Sequence, residues 1–165
     1  MVSALRILFV CMGNICRSPL AEGVGRGLAQ RAGLAVRIEF ASAGTLGSHA
    51  GEAPDERAQR GAARRGYDIS RQRARQVEVA DFQRFDRIFA MDRANLSALQ
   101  RICPPEHHGK LALLLDCAGG EVGREVPDPY YGNEAGFENV LDLCEAAVQG
   151  LIAGCAAQHG APFEA

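Results

Sequence analysis

Leu5-Arg6-Ile7-Leu8-Phe9-Val10-Cys11-Met12-Gly13-Asn14-Ile15-Cys16-Arg17-Ser18-Pro19-Leu20-Ala21-Glu22 is the stretch on which the reading of this chain turns. The apolar run from Leu5 to Val10 has the length and composition of a buried strand, and Pro19 to Glu22 reads as the first turn of a helix. Between them stand a cysteine, Cys11, and an arginine, Arg17, separated by five residues. The backbone N–H groups of such a loop and the N-terminus of the helix converge on one centre, where they favour a dianion. The same field favours a thiolate at Cys11. Arg17 adds a planar fork for two phosphate oxygens, and the Ser18 hydroxyl is placed to donate to the Cys11 sulfur. Gly13 and Asn14 tolerate the positive φ that a tight anion loop demands. Each part has a bland reading, a structural cysteine ending a strand beside a surface arginine. Together they imply phosphoryl transfer to sulfur.

Outward from this stretch, apolar runs alternate with helix-like segments, the pattern of a parallel sheet with helical crossovers. Strands are predicted at Arg6–Val10, Val36–Ser42, Arg87–Met91 and Lys110–Leu115. Helices are predicted near Pro19–Arg31, Pro54–Arg65 and Asp92–Ile102, with a shorter one around Val79–Phe85. The clearest runs from Gly136 to about His159, where Phe137, Val140, Leu141, Cys144, Ala147, Val148, Leu151 and Ile152 form one apolar face. The fold class is therefore α/β in a single domain over 1–165, with 158–165 a C-terminal tail. In such a sheet, ligands sit beyond the carboxyl ends of the strands. The Cys11 loop, Ser42-Ala43-Gly44-Thr45 and the segment leading to Asp128 meet at that edge.

The chain has 165 residues, enough for one well-buried core, and its net charge of -2 argues against general affinity for nucleic acid. No apolar run is long enough to cross a bilayer, and the first residues lack the features of a secretion signal. Six cysteines at irregular spacing are read as reduced thiols, which places the protein in the cytoplasm. Cys103, His107, His108 and Cys117 match no usual zinc spacing, so no metal or organic cofactor is expected. Gly23, Gly25 and Gly27 miss the dinucleotide fingerprint and point to close helix packing. The arginines at 57, 60, 64, 65, 71, 73 and 75 read by default as a solvated face.

Asp128 sits between Pro127 and Pro129, which restrict its backbone. A departing phenolate needs a proton, and a fixed carboxyl supplies one; Pro-Asp-Pro is equally good turn chemistry. Tyr130 and Tyr131 offer flat apolar faces, suited either to a substrate wall or to a core. Cys16 is either a partner for oxidised Cys11 or a packed, inert thiol.

The chain resembles the low-molecular-weight protein tyrosine phosphatases. The likeness rests on Cys11 to Pro19, Ser42-Ala43-Gly44, Ala74-Arg75-Gln76, Met91-Asp92 with Asn95, Asp128-Pro129-Tyr130-Tyr131, and Gly132-Asn133 followed by Gly136-Phe137. It implies a four-stranded parallel twisted sheet with helices on both faces and the phosphate loop after the first strand. It implies phosphotyrosine hydrolysis through a phosphocysteine, with Cys11 as nucleophile, Arg17 binding phosphate and Asp128 as general acid and base. Met12, Gly13, Asn14, Ile15, Cys16 and Ser18 would complete the phosphate loop, with Ser42 and Glu22 supporting it. Ser48, His49, Tyr130 and Tyr131 would line the pocket, and Cys16 would protect Cys11 from oxidation. Phosphotyrosine proteins, and small aryl phosphates in vitro, would be the substrates of a monomer or weak dimer without membrane or nucleic-acid partners.

Two departures stand out. Many relatives place Trp where this chain has Ser48, followed by His49, and a histidine before Ala-Arg-Gln is replaced by Gln72 and Arg73. Arsenate reduction on the same scaffold needs resolving cysteines, and none occurs between Cys16 and Cys103. Relatives that favour phosphoarginine tend to carry Thr where this chain has Ile15. A non-catalytic phosphoprotein-binding module would be expected to lose Cys11, Arg17 or Asp128.

Overall fold

A computed structural model describes residues 3–157, with side chains through Gly154. Strand β1 (Leu5–Cys11) lies at the centre of a sheet ordered β2-β1-β3-β4, and all three pairings are parallel. Its partners are β2 (Ile38–Gly44) on one side and β3 (Arg87–Ala90) on the other, with β4 (Leu111–Leu113) at the edge. Both faces of β1 are covered, which explains why its sequence is apolar at every position but Arg6 rather than alternating. Leu5, Ile7, Phe9 and Cys11 point into a core shared with helices α1 (Arg17–Arg31), α2 (Glu56–Arg64) and α5 (Glu134–Ala157). Leu8 and Val10 point into a second core with α3 (Asp81–Arg84) and α4 (Arg93–Ile102). Phe9 stacks between Phe40 and Phe89, with ring centroids 5.8 and 6.2 Å away, and so ties three strands together.

Several boundaries differ from the sequence reading. The second strand starts at Ile38 because a turn occupies the preceding residues, where Arg37 N donates to Leu34 O, and Val36 is 88% exposed. The fourth strand shrinks to three residues because Leu114–Ala118 coils into a 3₁₀ turn, burying Leu114 and Leu115. The short helix covers Asp81–Arg84. A second 3₁₀ turn, Pro105–Lys110, holds both adjacent histidines, and His108 Nε2 lies 2.8 Å from the Cys103 carbonyl oxygen. The predicted end of the last helix near His159 and the tail 158–165 lie outside the described residues.

Helix α1 carries the phosphate loop at its N-terminus and is clamped from both sides. A Cβ at Gly23 would stand 2.4 Å from Ile69 Cγ2, at Gly25 2.7 Å from Phe40 and at Gly27 2.6 Å from Tyr67. The glycines are there for packing space. Arg60 and Arg64 of α2, with Arg71 and Arg73 beyond it, are exposed as expected of a solvated face, but those of α2 are also ion-paired. Arg60 and Arg64 pair with Glu134 and Glu138, and Arg65 reaches Glu138, Asp142 and Glu145, so they dock α2 onto the acidic side of α5. Farther along the same run, Arg75 grips the buried Asp81.

Candidate active site

The strand order changes direction between β1 and β3, and an open sheet of this kind binds ligands at that crevice. Cys11 ends β1 there, and the following loop curls back over it. Asn14 is the one non-glycine residue with positive φ, at 58°, among the described residues. Its side chain fixes that conformation: Nδ2 donates to Ser18 Oγ (2.8 Å) and Ser42 Oγ (3.0 Å), and Oδ1 accepts from Arg75 N (3.0 Å). Gly13 does not share the positive φ expected of it. Its lack of a side chain lets the His49 ring lie close, because a Cβ there would be 3.1 Å from His49 Cδ2. Gly44 similarly lets β2 press on the loop, since a Cβ would meet Met12 O at 2.7 Å.

The Cys11 sulfur lies at the base of this cradle. Ser18 Oγ is 3.0 Å from it, and Asn14 N donates to it at 3.3 Å. Both contacts bring hydrogen-bonding groups to the sulfur. Cys16 lies in the same loop. Burial first, then the charges of Asp55, Cys11 and Asp128, push its thiol up to about 12. Behind the loop, the buried Glu22 accepts from Ser42 Oγ at 2.7 Å and pairs with Arg26 at 2.9 Å. Burial raises its pKa, and these two partners pull it part of the way back. With the usual histidine absent, Gln72 Nε2 instead donates to Pro19 O at 3.1 Å.

Arg17, in the first turn of α1, is 3% exposed. Its Nη1 donates to Asp92 Oδ2 (2.7 Å) and to Val126 O (3.1 Å), which fixes the guanidinium across the crevice. Burial works against its charge, but the Asp92 bond and the facing Cys11 and Asp128 outweigh it, so its pKa is raised. Nε is buried without a partner, which leaves a donor for an incoming oxygen. Asp92 was not among the site residues expected from sequence. Its two oxygens divide the work, Oδ1 capping α4 through Asn95 N (2.8 Å) and Oδ2 holding Arg17. Its place immediately after β3, at the switch point, was the available signal.

Asp128 Oδ2 lies 3.9 Å from Arg17 Nη2, and Oδ1 accepts from Tyr130 N at 3.1 Å. The cavity, about 170 Å³, is lined by Cys11, Met12, Gly13, Ile15, Cys16 and Arg17 on the loop side. His49, Asp128, Tyr130 and Tyr131 complete it. A cavity of about 150 Å³ admits a benzene ring, so this one has room for the ring of an aryl ester. Tyr130 and Tyr131 meet edge to face, with centroids 5.0 Å apart. Ser48 does not belong to this lining. It is exposed on the turn, and His49, the next residue, is the one that faces the cavity. Ser48 and His49 therefore face opposite ways on the turn, one to solvent and the other to the site.

A thiol in an anion cradle, with a fixed arginine and a carboxyl across the mouth, defines the class of cysteine-dependent phosphatases. Residues 6–160 match the family model described as low molecular weight phosphotyrosine protein phosphatase. A low molecular weight protein-tyrosine-phosphatase of Streptomyces coelicolor is 44% identical over 153 residues, covering 90% of this chain and 92% of that protein. The human low molecular weight phosphotyrosine protein phosphatase is 40% identical over 139 residues, covering 84% and 87%. The crystal structure of an Entamoeba histolytica protein tyrosine phosphatase with Hepes in the active site superposes with a TM-score of 0.89. It is 39% identical and covers 94% of this chain and 99% of that one. The chain belongs to the low-molecular-weight phosphotyrosine protein phosphatase family.

Proposed function

We propose that this protein hydrolyses phosphotyrosine in protein substrates. The observation that carries the reading is the position of Cys11 Sγ at the floor of a cavity whose walls supply Arg17 on one side and Asp128 on the other. Cys11 attacks phosphorus in line with the departing phenol oxygen, and the P–O bond breaks as the S–P bond forms. Loop amides and Arg17 hold the equatorial oxygens. Asp128 gives its proton to the phenolate, then as carboxylate takes one from the water that hydrolyses the phosphocysteine. Tyr130 and Tyr131 pack against the phenol, with His49 across the mouth.

Arsenate reduction is less well supported, because none of the described thiols other than Cys11 and Cys16 lines the cavity. Cys103 donates to Pro104 O at 3.4 Å, and Cys144 is fully buried, its thiol pushed up to about 12 by burial. The intact Cys11, Arg17 and Asp128 favour catalysis over mere binding, and Ile15 favours phosphotyrosine over phosphoarginine. A panel of phosphotyrosine, phosphoserine and phosphoarginine peptides, and arsenate with a thiol reductant, tests the reading. Phosphotyrosine should be turned over fastest, and Cys11→Ser should lower that rate by about four orders of magnitude or more while retaining phosphate binding. Turnover surviving in Cys11→Ser would overturn it.

Cys16 lines the same cavity as Cys11. In our reading, peroxide converts Cys11 to a sulfenic acid, which condenses with the Cys16 thiol to a disulfide and water. Mass spectrometry after mild peroxide should show the Cys11–Cys16 link; sulfinic acid accumulating at Cys11 in its place would refute it. No described helix is long and apolar enough to cross a membrane. We place the protein in the cytoplasm as a monomer or weak dimer; the unpaired thiols among the described residues support the compartment, and sedimentation checks the oligomeric state.

A further inference from the structure

One side chain outside the cavity grips both halves of the site. Arg57, in the first turn of α2, makes a two-pronged contact with Asp55, Nε to Oδ1 at 3.0 Å and Nη2 to Oδ2 at 2.9 Å. The same guanidinium donates to two carbonyls of the Asp128 loop, Nη2 to Tyr130 O at 2.9 Å and Nη1 to Gly132 O at 3.2 Å. Its flat face lies 4.7 Å from the Phe137 ring centroid and 5.7 Å from that of Tyr130. Asp55 faces the other way as well: its N–H donates to Ile15 O, in the middle of the phosphate loop, at 2.8 Å. A continuous strap therefore runs from Ile15 through Asp55 and Arg57 to Tyr130 and Gly132. The fork holds the Asp55 carboxyl below its ordinary pKa, which keeps the strap charged.

The grip on Tyr130 bears directly on Asp128. Tyr130 is fixed at both main-chain groups, its carbonyl by Arg57 and its N–H by Asp128 Oδ1. With Oδ1 so engaged, Oδ2 is the oxygen turned toward Arg17 and the cavity. A lysine in place of Arg57 lacks the planar fork needed for a carboxylate and two carbonyls together. We propose that Arg57 is a positioning residue for the general acid, holding the Asp128 loop in register with the phosphate loop through Asp55. This rests on the phosphatase reading above.

The test is a comparison of two esters, phenyl phosphate, whose leaving group needs a proton, and 2,4-dinitrophenyl phosphate, whose leaving group does not. Arg57→Met should lower kcat/KM, which reports phosphoryl transfer to Cys11 and not the later hydrolysis, by about ten-fold on phenyl phosphate, within the range available to a general acid, and by less than about two-fold on the dinitrophenyl ester. Inhibition by inorganic phosphate should stay within about two-fold of wild type, since the cradle is intact. In an Asp128→Ala background the same substitution should cost almost nothing further, because both changes act through one carboxyl. Arg57→Lys and Asp55→Asn should show the same leaving-group dependence, and they carry the test if Arg57→Met fails to fold. Equal losses on both esters, additive losses with Asp128→Ala, or full rescue by lysine would each overturn the inference. A wild-type protein inactive on both esters would sink the phosphatase reading and this inference together. Wild-type turnover with a uniform loss in the variants would sink the inference alone.

Discussion

The phosphate loop and the Asp128 loop face each other across one cavity but are built differently. Asn14, Arg17 and Ser18 are buried at 3%, 3% and 0% exposure, and each is held by side-chain bonds from several elements. The Asp128 side chain is 38% exposed and its loop carries no regular secondary structure. It is secured at its ends, by Val126 N to Met91 O and Val126 O to Arg17, and by Arg57 on Tyr130 and Gly132. Pre-organised donors are most effective when sealed from water and fixed before the anion arrives. A proton donor has to meet leaving groups of varied shape, and a loop tethered at both ends suits that. Binding and proton transfer are thus assigned to parts of different rigidity.

The largest effect that would sharpen this contrast is at Asp128. Asp128→Ala should slow hydrolysis of phenyl phosphate by about two to four orders of magnitude and leave the phosphate inhibition constant unchanged. A parallel fall in phosphate affinity would mean that the two loops are one unit. Next comes Asp92→Asn, which keeps the α4 cap through Oδ1 but removes the carboxylate to which Arg17 Nη1 is hydrogen-bonded. It should lower kcat/KM by about ten- to a hundred-fold, equally for good and poor leaving groups, because it disturbs positioning in the cradle. A leaving-group-dependent loss would place Asp92 on the acid side.

The smallest effect concerns Glu22. Its folded pKa lies above 4.5, the ordinary value, so the unfolded chain loses that proton first as pH rises. Its contribution to stability is therefore full below that value and is lost as pH climbs through the folded pKa. Glu22→Gln cannot ionise. The melting temperature of wild type relative to Glu22→Gln should fall by a few degrees at most as pH is raised from the acidic to the neutral range. A difference that grows with pH would show that the carboxylate, through Ser42 and Arg26, stabilises the cradle.

The cradle was legible because its parts are neighbours in sequence. Cys11, Asn14, Arg17 and Ser18 fall within eight residues, and local chemistry suffices to read strand, loop and helix start from them. The four-strand alternation was legible for the same reason, since period and turn signals are local. The partners that hold the site were not. Asp92 lies 75 positions from Arg17, and Arg57 lies 73 and 75 from the carbonyls it grips. The ion pairs of an arginine run show only when the acidic face of α5 is laid against it. Ser48 and His49 show the other limit: which of two adjacent residues faces inward depends on turn geometry that residue type does not specify. The length of β4 was lost similarly, because Leu114 and Leu115 are as apolar as a strand but are buried from a 3₁₀ turn.

The close seating of α1 against Ile69, Phe40 and Tyr67 has an evolutionary consequence. Gly23, Gly25 and Gly27 do not line the cavity, yet one added methyl at any of them must displace the facing Ile69, Phe40 or Tyr67 or shift the rod from whose tip the anion site hangs. In a saturation library selected for turnover, these three positions should tolerate as little as Cys11's own loop. Drift of substrate preference would then be channelled to the rim, where Tyr131 is 92% exposed and free to change.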